Sequence, residues 1–136
     1  MFAIALVMLA TKKVSRVLVL VPSVTIENEL TQKFKDLLGN LQLLKTLGDN
    51  FVPPQILNGD STLVENSIAV ENRNAIYKAQ ATRNSIVDSL KGNGENTLIL
   101  HDEVHHVYYS ESNEWRSFIE DESSNNINFK YVIGVT

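Results

Sequence analysis

The chain has 136 residues, of which 43% are hydrophobic and 21% charged, with no cysteine and a formal net charge of −4. These totals fit one modest folded domain and exclude a disordered tail, a disulfide framework, a thiolate metal site and a cysteine nucleophile. The acidic balance argues against gripping nucleic acid by bulk electrostatics, so any such contact would come from a few backbone amides and hydroxyls.

The chain opens with ten largely apolar residues, MFAIALVMLA. A bilayer span needs roughly 20. The positive charges, Lys12 and Lys13, follow the run, whereas a signal peptide carries them in front. Residues 1–11 lack Gly and Pro and are apolar all round. They read as a buried helix, with no membrane association and a cytoplasmic location expected.

Val17 to Val21 is an unbroken branched and leucine run closed by Pro22. That is the pattern of a strand buried on both faces, predicted near 16–21. Residues 24–41 change to a helical period, with Ile26, Leu30, Phe34, Leu37, Leu38 and Leu41 on one face. Thr25 is the expected cap, and Gly39 and Asn40 the expected end. Residues 42–60 read as loop around one short strand, given Gly48, Pro53–Pro54 and Asn58–Gly59–Asp60.

A second buried strand is predicted over 67–71, within SIAVEN. Residues 74–91 read as a helix with Ile76, Ala79, Ile86, Val87 and Leu90 as its apolar stripe, stopped by Gly92–Asn93–Gly94. Further strands are predicted near 96–101 and 130–135. Between them come a helical turn including Trp115, Phe118 and Ile119 and a polar loop from Asp121 to Asn128. Strands alternating with helices predict an α/β fold with a mostly parallel sheet.

The chemistry concentrates in TLILHDEVHH, residues 97–106. A hydrophobic strand delivers two adjacent carboxylates, Asp102 and Glu103, to its end, and open parallel sheets bind ligands beyond the carboxyl ends of their strands. One carboxylate there can hold a hydrated Mg²⁺, and the next can orient and deprotonate a water. Nucleoside triphosphate hydrolysis needs that division of labour. All three histidines, His101, His105 and His106, fall here too. His101 and His105 are spaced like a H-E-x-x-H zinc pair, but that motif lies on a helix with Glu directly after the first His. Here the pattern is strand-like and Asp stands in that place, so no structural zinc is expected.

HDEVHH resembles the DExH box, motif II of superfamily 2 helicases, in its D-E-A-H-H form. The resemblance implies Asp102 as the Mg²⁺ contact, Glu103 as the catalytic base and His105 as the link to neighbouring motifs. VLVLVPS, residues 17–23, resembles motif Ia, which implies nucleic-acid backbone contact by Pro22 and Ser23. YVIGVT, residues 131–136, resembles the strand entering motif III, which gives Gly134 and Thr136 a coupling role. Together with NEWRSFIED, ILNGD and VEN, these segments resemble the helicase subunit of type III restriction enzymes across nearly the whole chain.

That family implies a three-layer RecA-like P-loop NTPase domain using ATP and Mg²⁺ on DNA, or on RNA. It also implies a second RecA-like domain and a methyltransferase/specificity subunit as partners. The chain contains no phosphate-cradling G-x-G-K-T loop. Residues 1–136 are therefore expected to form a partial first RecA-like domain, incomplete at both ends, running from just after motif I into motif III. Two other functions stay open: a binding module without turnover, and a metal hydrolase built on the histidines.

Overall fold

The computed structural model describes residues 1–59, 61–77, 85–102, 127 and 129–135. Its elements are α1 (Phe2–Ala10), β1 (Arg16–Val21), α2 (Val24–Leu38), α3 (Leu41–Lys45), β2 (Gln55–Asn58), β3 (Ser67–Asn72), α4 (Arg73–Tyr77), α5 (Ser85–Leu90), a 3₁₀ turn (Gly94–Asn96), β4 (Thr97–Asp102) and β5 (Tyr131–Val135). All four predicted strands are present, and the short strand anticipated within 42–60 is β2.

The five strands form one sheet in the order β2-β3-β1-β4-β5, and every pairing is parallel. Both faces are covered, which explains the unbroken apolar runs. Val17, Val19, Val21, Ile68, Val70, Leu98 and Leu100 turn to a first face, where α1 and Phe34 of α2 pack on them. Leu18, Leu20, Ala69 and Ile99 turn to the second face, against Ile76 of α4, Ile86 and Leu90 of α5, Leu63 and Ile127. The result is the expected three-layer α/β arrangement.

The chain leaves β1 over the first face, through α2, to reach β2. It returns from β3 to β4 over the second face, through α4 and α5. Moving one way over one face and back over the other keeps a single hand, as parallel crossovers do. Ile127 and Phe129, just before β5, also pack on the second face. The connection leaving β1 runs over the first face and the described residues leading into β5 pack on the second, the arrangement that in open α/β sheets leaves a crevice at the carboxyl ends of neighbouring strands.

Local chemistry corrects several expectations. The α2 cap is Ser23, not Thr25: its backbone is extended after Pro22, and its Oγ accepts from the Ile26 amide at 3.3 Å. The helix ends with Gly39 as its C-cap, as expected, but Asn40 starts a further helix, α3, accepting from the amides of Gln42 and Leu43. That helix lies where loop was expected. Helix α1 is not buried all round, since Ile4 and Val7 face solvent while Phe2, Ala5, Leu6 and Leu9 are buried. Phe2 stacks at 4.8 Å, ring centroid to centroid, on Phe34, which fixes α1 against α2. Within the expected polar loop, Ile127 is a core residue. The expected helix over 74–91 is described as α4 and α5; Ala79, Trp115, Phe118 and Ile119 lie outside the described residues.

The end of α1 stores strain. The amides of Lys12 and Lys13 reach back to the carbonyls of Leu9 and Met8, both at 3.1 Å, closing a Schellman cap. That cap puts Lys12 at φ 58°, a left-handed conformation that favours glycine. Replacing Lys12→Gly should raise stability by about 0.5–1 kcal/mol, because the Cβ clash is relieved while the cap hydrogen bonds remain. Urea unfolding of the two chains measures this, and a lower midpoint for the glycine variant would contradict it.

Candidate functional site

The carboxyl ends of the strands gather the polar residues. Strand β4 is buried through His101 and half-buried at Asp102. Parallel pairing sets His101 opposite Gly134 and Asp102 opposite Val135 on β5. The expected neighbourhood of Asp102 with the Gly134 segment is therefore present. On the other side, His101 pairs with Leu20 of β1, so Pro22 and Ser23 follow at the same edge across the crevice. Ser23 spends its acceptor on the α2 cap, which leaves the hydroxyl proton for donation. Glu103, His105, His106 and Thr136 lie outside the described residues.

Three buried charged residues at this edge were given no site role from sequence. Glu71 and Arg73 sit at the end of β3, 3% and 8% exposed. Glu71 accepts through Oε1 from the amide and the side chain of Asn72, at 2.9 and 3.1 Å, and Asn72 in turn caps α4 at the Ala75 amide. Glu27 is buried on α2, and its Oε1 accepts from the Gly59 amide at 2.9 Å. Gly59 has φ 64°, a turn geometry that a side chain resists. A charge inside an otherwise apolar, two-face-buried strand, as in VENR, was the available signal for Glu71 and Arg73.

His101 is fully buried. Its Nδ1 lies 3.1 Å from the carbonyl oxygen of Asp102, a contact that needs the ring proton on Nδ1. Burial, and secondly the nearby positive charge of Arg73, lower its pKa to about 4. The ring is therefore neutral at physiological pH.

The donor chemistry of this edge fits Mg²⁺. Asp102 offers a hard carboxylate that is half-buried at the mouth of the crevice. Mg²⁺ keeps several waters and takes one or two carboxylates rather than a full protein cage. Among the described residues no group of three or more His, Cys, Asp or Glu side chains converges as a metal cage. A shallow cavity of about 320 Å³, lined by Lys12, Lys13, Asn66 and Asn96 among others, lies at the opposite, amino edge of the sheet.

The buried histidine makes stability depend on pH. Between pH 6.5 and about 4 the unfolded chain takes up a proton that folded His101 refuses. Stability should thus be complete above pH 6.5 and fall as the pH drops toward 4, by on the order of 3 kcal/mol. Urea unfolding from pH 7 to 4.5 measures the slope, and His101→Leu should flatten it. Equal stability of the unaltered chain across that range would contradict the assignment.

The family model described as "Type III restriction enzyme, res subunit" matches residues 1–136, the whole chain. No curated protein and no solved structure matches it. No helix among the described residues is long and apolar enough to cross a membrane. With a parallel three-layer sheet, a carboxylate at its carboxyl edge and this match over the full length, the chain belongs to the type III restriction enzyme res subunit family, a helicase-superfamily family of nucleic-acid-dependent ATPases.

Proposed function

We propose that the chain is part of the first RecA-like domain of an ATP-dependent DNA translocase of the restriction-enzyme type, working with ATP and Mg²⁺. One observation carries the reading: the parallel register that sets Asp102 beside Gly134 and Val135 at the mouth of the β1–β4 crevice. Asp102 would hold Mg²⁺ through its carboxylate, directly or through water. Bound Mg²⁺ supplies charge neutralisation of the phosphates during hydrolysis. Glu103, next in the chain, would orient the attacking water and accept its proton. His105 would connect this site to neighbouring segments.

Pro22 and Ser23 lie across the crevice from Asp102, where a backbone phosphate of DNA, or of RNA, would accept a hydrogen bond from the Ser23 hydroxyl. Gly134 and Thr136 would report the state of the nucleotide to that track. The full motor would add a phosphate loop, a second RecA-like domain and a methyltransferase/specificity subunit, and would work in the cytoplasm.

The sequence contains no G-x-G-K-T loop, and such a loop contributes backbone amides and a lysine to the phosphates. A missing arginine finger alone lowers rates by roughly 10³–10⁵ where measured. The 136-residue chain by itself should therefore hydrolyse ATP far more slowly than a motor, and its residual turnover should disappear in Glu103→Gln. Phosphate release with Mg²⁺, ATP and single- or double-stranded DNA measures this. Motor-like turnover that Glu103→Gln leaves intact would remove Glu103 from its role.

A further inference from the structure

We infer that the cavity at the amino edge of the sheet is a second ligand site, one that takes a small phosphate ester carrying hydroxyl groups. The inference is independent of the reading of the carboxyl edge. The cavity holds about 320 Å³, the low end of the range for small-molecule sites. Three strands enter the sheet side by side there, since β1 lies between β3 and β4. Ser15, just ahead of β1, stitches the three entries together. Its amide donates to the Asn96 carbonyl at 2.9 Å, and its carbonyl accepts from the Asn66 amide at 2.7 Å. Buried Leu9 and Val14 add an apolar lining.

The rim stands on backbone that glycine would suit better. Lys12 has φ 58° and Asn66 φ 56°, the two left-handed residues other than glycine among the described residues, and both line this one cavity. Such conformations persist where the surrounding structure over-determines them, and they gather at ligand sites. Asn66 is held by Ser15, by the Gln55 amide on its carbonyl at 3.0 Å, and by its own side-chain amide, which donates to the carbonyls of Val52 and Pro53. Lys12 is held by the cap that ends α1. A glycine would close the same cap without strain, so what the lysine adds is its ammonium.

Charge and hydrogen-bonding capacity name the class of ligand. The backbone amides from Lys12 to Ser15 all donate inside the fold, so a ligand meets side chains. Among the described residues no carboxylate pairs with Lys12 or Lys13. Two exposed ammonium groups on one rim suit a phosphate, toward which lysine acts as a point charge. Glu65 lines the same cavity. Its carboxylate repels a bare anion but accepts from a hydroxyl. A phosphate on a hydroxylated body answers both ends of the site, and inorganic phosphate answers one.

Ribose 5-phosphate, titrated without divalent cation into the nitrogen-15 labelled chain, tests this. The amides of Lys12, Lys13, Ser15, Asn66 and Asn96 should shift and saturate, while those of Asp102 and Gly134 stay in place. Inorganic phosphate should bind the same residues about tenfold more weakly, for want of the hydroxyl to Glu65, and ribose alone should not bind. Lys12→Gly, expected to be the more stable chain, should lose affinity for ribose 5-phosphate about tenfold. A lysine that served only the fold would leave that affinity unchanged, and such a result would overturn the inference. So would shifts that never saturate, that chloride reproduces at equal ionic strength, or that centre on the carboxyl edge. Equal affinity for inorganic phosphate and the ester would refute the class of ligand.

Discussion

A parallel sheet sends every strand the same way, so all its carboxyl ends meet at one edge. Everything functional proposed for this chain depends on that constraint. Strands β1 and β4 are buried on both faces, and their parallel pairing brings the Ser23 end of one and the Asp102 end of the other to the same edge. Burying both faces in turn demands helices above and below. Helices α1 and α2 meet the first requirement, and α4 and α5 the second.

The middle rows of the sheet are apolar, and at the last row the chemistry changes. Glu71, His101 and Arg73 are buried at the carboxyl edge, although burying charge is costly without compensation. Elsewhere, half-buried Arg16 and buried Thr31 tie the chain to itself. Arg16, at the amino end of β1, donates from Nη1 to the carbonyls of Leu63 and Ser89, both at 3.1 Å, and so ties the second-face connections together. Thr31 returns its hydroxyl to the Glu27 carbonyl within α2. The edge cluster is thus a place of polar burial next to the proposed reaction site.

Much of the fold was legible because burial on both faces leaves a crude, strong signal. Val17 to Val21 and Thr97 to Leu100 carry no polar residue except Thr97, and their shortness and branched residues separate them from the apolar helical run at the start of the chain. The place of Asp102 at the carboxyl edge was legible for the same reason, since it stands where such a run ends. Capping was harder to read. Thr25 and Ser23 are both good caps by type, and the choice between them turned on the backbone, which is extended at Ser23 and already helical at Thr25, and which composition does not reveal. Helix α3 was missed because Asn40 serves equally to end one helix and begin another. His101 was weighed as a zinc ligand by its spacing to His105, whereas its surroundings depend on Arg73, distant in sequence and brought near only by the β3–β1–β4 order.

The central claim is that the carboxyl edge between β1 and β5 is where a metal-bound nucleotide would sit. Paramagnetic broadening by Mn²⁺ in the nitrogen-15 labelled chain tests it residue by residue, because the effect falls steeply with distance from the ion. The account predicts that the amides of Asp102, Gly134 and Val135 broaden first, with Ser23 next, while those of Ser15, Asn66 and Asn96 at the amino edge stay sharp. Broadening centred on the amino edge, or spread evenly over the acidic surface, would contradict it.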